Sequence, residues 1–202
     1  PVADFTWLPT NPLAGQLTTF DASSSTPNGG SIIWYYWDFD DLTPPVNTTN
    51  PTTNHTFLAY GVYNVTLTVK DSEGLTNSTS RLVTVIDYPI ASFTYSSKLG
   101  PEPNPALADF DTTFDASGSS AEGGTILWYY WDFDDLTPQV NTTALVINHT
   151  YSSYGVYNVT LTIKDSEGLT DIEWKLVTVV EYPVASFTYS SVRGPEPTPP
   201  LA

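Results

Sequence analysis

The sequence has no cysteine, no methionine, and only 6 Lys and Arg residues against 22 Asp and Glu, for a formal charge of −16 at pH 7. Each shortage excludes something. Without Cys there are no disulfides, thiolate metal sites or Cys nucleophiles, and compartment is left open by this criterion. Six scattered cations make no basic stripe, and surplus negative charge repels phosphate and anionic lipid, so nucleic acid and membrane surfaces are excluded as partners. No apolar run approaches the ~18 residues of a membrane span, so no direct membrane insertion is expected in this segment. A chain opening at Pro1-Val2-Ala3 without Met is expected to have been cut from something longer. A content of 40% hydrophobic and 14% aromatic residues is too apolar for a disordered acidic tail, so the chain folds.

What is present is a repeat. Trp34-Tyr35-Tyr36-Trp37-Asp38-Phe39-Asp40-Asp41 returns 94 residues later as Trp128-Tyr129-Tyr130-Trp131-Asp132-Phe133-Asp134-Asp135. Between 31–76 and 125–170, 35 of 46 positions are identical. The openings at Pro1 and Pro89 lie closer together, 88 apart, so the second copy carries six extra residues before Phe114, including Gly100-Pro101-Glu102-Pro103. A third opening begins at Pro183-Val184-Ala185-Ser186-Phe187. The expected organisation is module 1 over residues 1–87, module 2 over 88–181, and the first strand and loop of a third copy over 182–202. The joints Asp87-Tyr88 and Glu181-Tyr182 are too short for flexible tethers, which predicts a semi-rigid rod.

Alternation marks the strands. From Val62 to Lys70, Tyr63, Val65, Leu67 and Val69 share one face, and Asn64, Thr66 and Thr68 the other. In the aromatic segment Tyr35, Trp37 and Phe39 point one way, Trp34, Tyr36 and Asp38 the other. Further strands fit Ala3 to Trp7, Leu17 to Asp21, Asn54 to Phe57 and Ser78 to Ile86. No window carries a helical stripe. About seven short strands per module predict an all-β chain of tandem immunoglobulin-like sandwiches with Trp37 and Trp131 in the cores and Tyr60 or Tyr63 making a corner hydrogen bond.

The succession Phe20-Asp21-Ala22-Ser23, Tyr36-Trp37-Asp38-Phe39-Asp40-Asp41, His55-Thr56-Phe57 and Tyr60-Gly61-Val62-Tyr63-Asn64-Val65-Thr66-Leu67-Thr68-Val69 resembles the PKD (polycystic kidney disease) domain, in both modules. Family members usually carry Gly-Asp-Gly after Trp-Asp-Phe, where Asp40-Asp41-Leu42 and Asp134-Asp135-Leu136 stand here. The resemblance implies an extracellular, non-catalytic sandwich of the kind found in archaeal and bacterial surface assemblies and as a spacer in secreted hydrolases.

Asn-x-Ser/Thr occurs at Asn47, Asn54, Asn64, Asn77, Asn141, Asn148 and Asn158, more often than chance provides, and predicts N-linked glycans. Asp38, Asp40, Asp41, Asp71 and Glu73, with Asp132, Asp134, Asp135, Asp165 and Glu167, offer hard oxygen ligands that suit Ca²⁺ if the ends of the third and sixth strands converge. The competing reading is turn chemistry, with Asp-Ser-Glu-Gly as a hairpin turn. His55 and His149 hold equivalent places and read as strand-entry packing residues. No nucleophile elbow, phosphate loop or opposed carboxylate pair is present, so no catalytic residue is expected. Trp34, Tyr36, Trp128 and Tyr130 should face away from the core, either covered by the second sheet or a long loop, or free to stack on sugar rings or to meet another module. Val184 and Phe187, in an opening strand without its module, are a further contact candidate, completed by chain beyond Ala202 or lent to a neighbouring subunit.

The expected function is structural: a glycosylated PKD-repeat segment of a surface layer, adhesin stalk or extracellular filament, with copies of itself or further PKD modules as partners in a fibre or layer. The rival expectation is a carbohydrate-binding or spacer region of a secreted polysaccharide hydrolase.

Overall fold

The computed structural model describes residues 1–188 and contains two sandwiches in succession, with no helix among the described residues. Module 1 is built from β1 (Thr6–Leu8), β2 (Leu17–Asp21), β3 (Ile32–Asp38), β4 (Val46–Thr48), β5 (Thr52–Thr56), β6 (Gly61–Asp71) and β7 (Thr76–Val85). Its two sheets have the orders β1-β2-β5 and β4-β3-β6-β7. Module 2 contains β8 (Thr94–Ser97), β9 (Gly100–Pro101), β10 (Ala106–Leu107), β11 (Asp111–Asp115), β12 (Ile126–Asp132), β13 (Val140–Thr142), β14 (Val146–Thr150), β15 (Gly155–Asp165) and β16 (Thr170–Val180). Its sheets run β14-β11-β8-β9 and β10-β16-β15-β12-β13.

Alternation places the core. Val65, Leu67 and Val69 of β6 and Tyr35 and Trp37 of β3 are buried, while Asn64 and Lys70 are exposed. Trp37 and Trp131 are fully buried, each with a phenylalanine edge-on to the indole: Phe5 at 5.3 Å and Phe93 at 5.1 Å. Each such edge-on pair is worth about 0.5–1.5 kcal/mol beyond the area it buries. Tyr63 makes the corner bond, its hydroxyl donating to the Ala59 carbonyl at 2.8 Å, and Tyr157 repeats it to Ser153 at 2.9 Å.

The strand that opens each module leaves the smaller sheet and returns along the last strand of the larger one. In module 1 this is a parallel bridge, Leu13 to Ile86; in module 2 it is a two-residue parallel ladder, Ala106–Leu107 against Val179–Val180. At the joint two successive residues bond in opposite directions. The Ile86 N–H donates to Pro12 of module 1 at 3.0 Å, and the Asp87 N–H donates to Glu122 of module 2 at 2.9 Å. Asn11 adds a side-chain bond to Glu167 at 3.1 Å.

Residues 181–188 form no strand, and Val184 and Phe187 are exposed. The expectation for the rest of the third opening falls on 189–202, outside the described residues.

Candidate functional site

Antiparallel pairing decides what the acidic groups can do. Asp38 at the end of β3 pairs with Thr66 at the middle of β6, five residues from its end, whereas Asp71 at the end of β6 pairs with Ile32 at the start of β3. The Asp38–Asp41 group and the Asp71–Glu73 group therefore sit at opposite poles of the sandwich, and the convergence expected for a Ca²⁺ site does not occur. The same register separates Asp132, Asp134 and Asp135 from Asp165. Among the described residues no three His, Asp or Glu side chains gather to hold a metal.

The aspartates instead serve the backbone. Asp71 Oδ1 accepts the N–H groups of Glu73 and Leu75 at 3.1 and 2.9 Å, and Asp165 repeats this at 3.0 and 2.8 Å. Gly74, at φ 84°, closes the hairpin with its N–H on the Asp71 carbonyl. At the other pole Asp40 and Leu42 hold φ of 58° and 68°, the left-handed backbone for which glycine is the usual choice. Asp40 gains from it: its Oδ2 accepts the Asn64 N–H at 3.1 Å, as Asp134 accepts that of Asn158 at 3.0 Å. Leu42 and Leu136 make no such bond and are wholly exposed.

Asp41 and His55 form a largely buried polar contact. The His55 imidazole donates from Nε2 to Asp41 Oδ2 at 2.6 Å and lies 3.8 Å from the Phe39 ring, nearly parallel. His149 and Asp135 repeat this at 2.7 Å, over Phe133 at 3.8 Å. Burial pushes the Asp41 carboxyl up, but bonds from Thr43 and His55 more than reverse this and leave it below the usual carboxylate range; Asp135 behaves alike. The histidines are strand-entry residues as expected, with a partner that sequence spacing did not identify.

All seven glycosylation candidates, Asn47, Asn54, Asn64, Asn77, Asn141, Asn148 and Asn158, are exposed. Trp34 and Tyr36 lie half-buried on the outer face of the larger sheet, stacked on each other at 5.5 Å, with Trp34 beside an open depression shared with Ile33, Lys70 and Thr76. Trp128 is 41% exposed and Tyr130 half-buried on the corresponding face of module 2. Two further features there were not singled out from sequence: Trp174, 61% exposed on β16, and Gln139, whose Nε2 donates to Asp132 Oδ2 at 2.9 Å. That bond, followed by one from the Asp134 N–H, holds the Asp132 carboxyl below its ordinary value. Aligning the repeats for differences rather than identities would have exposed both.

The sequence pattern defining the PKD domain matches residues 1–86 and 102–180. The chain belongs to the PKD domain family. Collagenase ColA of Bacillus cereus is 32% identical over 91 residues, spanning 45% of this chain and 9% of that protein. Microbial collagenase of Vibrio alginolyticus is 38% identical over 71 residues, 35% of this chain and 8% of that protein. The chain thus spans less than a tenth of the length of these curated relatives. Among solved structures, carbohydrate-binding modules of the β-sandwich superfamily superpose with a TM-score of 0.42 at 16% identity, covering 88% of this chain and 82% of theirs. Fibronectin(III)-like modules of Clostridium thermocellum CbhA superpose at 0.37 and 14% identity, covering 93% and 100%. PKD domains are non-catalytic modules.

Proposed function

We propose that these two modules are a spacer region of a secreted enzyme that works on an insoluble extracellular polymer. The observation that carries the reading is the joint. Ile86 and Asp87, adjacent in the chain, are hydrogen-bonded into module 1 and module 2 respectively, so the linker has no free residue between them. A joint anchored on both sides holds its neighbours at a set distance, which is what a catalytic domain needs when its substrate is a surface. The collagenase relatives, in which the matching stretch is a small fraction of a large protein, support an enzyme as the parent. Deleting residues 1–181 from the full-length parent is expected to leave hydrolysis of a short soluble substrate unchanged and to slow hydrolysis of the insoluble polymer. Equal rates on both substrates would overturn the reading.

A surface-layer or filament role is favoured by the seven exposed Asn sequons and by Val184 and Phe187. Under that reading the native protein runs well above 22.1 kDa per chain and de-glycosylation shifts it. Glycopeptide mass spectrometry with all seven Asn unmodified would remove the glycan part.

A further inference from the structure

Two copies this similar would be expected to differ at random on their surfaces, yet three differences fall on one patch. On the outer face of the larger sheet, Ser78 and Ser80 of β7 correspond to Ile172 and Trp174 of β16, and Pro45 before β4 corresponds to Gln139 before β13. In module 1 the equivalent threonines are already paired: the Ser80 and Ser78 hydroxyls bond Thr66 at 2.9 Å and Thr68 at 2.7 Å, and Trp34 covers Tyr36. In module 2, Thr160 and Thr162 have lost these serine partners and instead line a hollow of about 120 Å³ with Tyr130, Asp132 and Gln139. That is room for about four waters, enough to admit the hydroxyl rim of a sugar ring but not the whole ring. Trp174 pairs with Thr160 and Ile172 with Thr162, so an exposed indole and an aliphatic side chain stand on the adjacent strand, opposite two of the residues that line the hollow.

We infer that this patch of module 2 is a binding site for a neutral polysaccharide, with Trp174 stacking on the apolar face of a sugar ring whose hydroxyls bond Asp132, Gln139, Thr160 and Thr162. The chemistry selects the occupant. A sugar ring presents C–H groups on one face and hydroxyls at its rim, and the patch presents an aromatic ring beside a carboxylate, an amide and two hydroxyls. An extended peptide gains its affinity from free backbone groups at a sheet edge; β16 has such an edge beyond Trp174, but the hollow itself lies over β12 and β15, each paired on both sides. The Asp132 carboxylate and a net charge of −16 disfavour anionic polymers. The inference goes beyond the spacer reading and does not depend on a catalytic parent.

The test is retention of the whole chain, confirmed by mass to be free of glycans at Asn141 and Asn158 on the same face, on insoluble cellulose, chitin, xylan, mannan and β-1,3-glucan, with fibrous collagen alongside. Retention on at least one polysaccharide is expected. Trp174→Ser and Gln139→Pro, which install the residues of module 1, should each weaken it about tenfold with melting unchanged, and the triple variant P45Q/S78I/S80W should add a second site. Absence of retention on all five polysaccharides, retention unaffected by W174S, or retention on collagen alone would each overturn the inference. Loss of retention in W174S with polymer hydrolysis by the parent still dependent on residues 1–181 would leave both readings standing, whereas the deletion result alone decides the spacer.

Discussion

The Asp–His pole and the outer face of the larger sheet have had opposite histories within one duplicated chain. At the pole, hydrogen bonds of 2.6 and 2.7 Å and ring separations of 3.8 and 3.8 Å show the same device twice. On the face, hydroxyl pairs in one copy are replaced by Trp174 and Ile172 in the other. The pole closes the sandwich: Asp41 fixes its turn through Thr43 and its imidazole partner through the core ring beneath, so a change in any member strands a buried polar group. The face carries no such constraint, and side chains there can be exchanged without disturbing what holds the module together.

The largest effect that should sharpen this contrast is at Phe39 and Phe133. Both rings are buried, and F39A and F133A should each cost about 3–5 kcal/mol, seen in calorimetry as an early transition of the altered module. Unequal losses in the two modules would break the claim that the pole is the same device twice.

Next is the histidine. H55A and H149A should each cost about 1–3 kcal/mol by leaving a buried carboxylate oxygen unpaired. Their acid limbs should differ from that of the parent chain. Because Asp41 and Asp135 titrate below 3.8 when folded, their contribution is full above about pH 4 and is lost as the pH falls through the lower native value. Removing the histidine takes away part of that depression, so the variants lose less on acidification. A parallel loss in variant and parent would separate the carboxylate from its histidine.

Leu42→Gly and Leu136→Gly should stabilise by about 1 kcal/mol each, since an exposed Leu at φ 68° bears a left-handed backbone with nothing in return. Asp40→Gly at the neighbouring left-handed position should not, because the bond to Asn64 is lost with the side chain. Smallest of all, W174S and S80W should move stability by no more than about 0.5 kcal/mol in either direction. A larger shift in denaturant midpoint would tie the face to the fold and end the contrast.

The fold was legible because period-2 alternation in a half-buried strand directly encodes which side chains face the core, and Val65, Leu67 and Val69 did so without ambiguity. The three-residue strands β4 and β13 escaped notice, being too short to show a period. Convergence of the acidic groups was misjudged for a reason of topology: the ends of β3 and β6 look adjacent in a list of strands but lie apart once the strands run antiparallel. The Asp41–His55 contact spans 14 residues across a turn and leaves no mark on hydrophobic pattern. Trp174 belongs to no repeated motif and stands out only among the few positions where the two copies disagree.

The parallel return of each opening strand along the last strand has a mechanical consequence. A pull applied through the two ends of a module runs along both strands, so the bonds of Ile86 to Pro12 and Ala14 in module 1, and Ala108 to Val180 with the Ala106–Leu107 ladder in module 2, are loaded sideways and together rather than one at a time. Such a clamp yields only when all its bonds rupture at once. With one bridge in module 1 and a longer ladder in module 2, a stretched chain is expected to surrender its first module before its second.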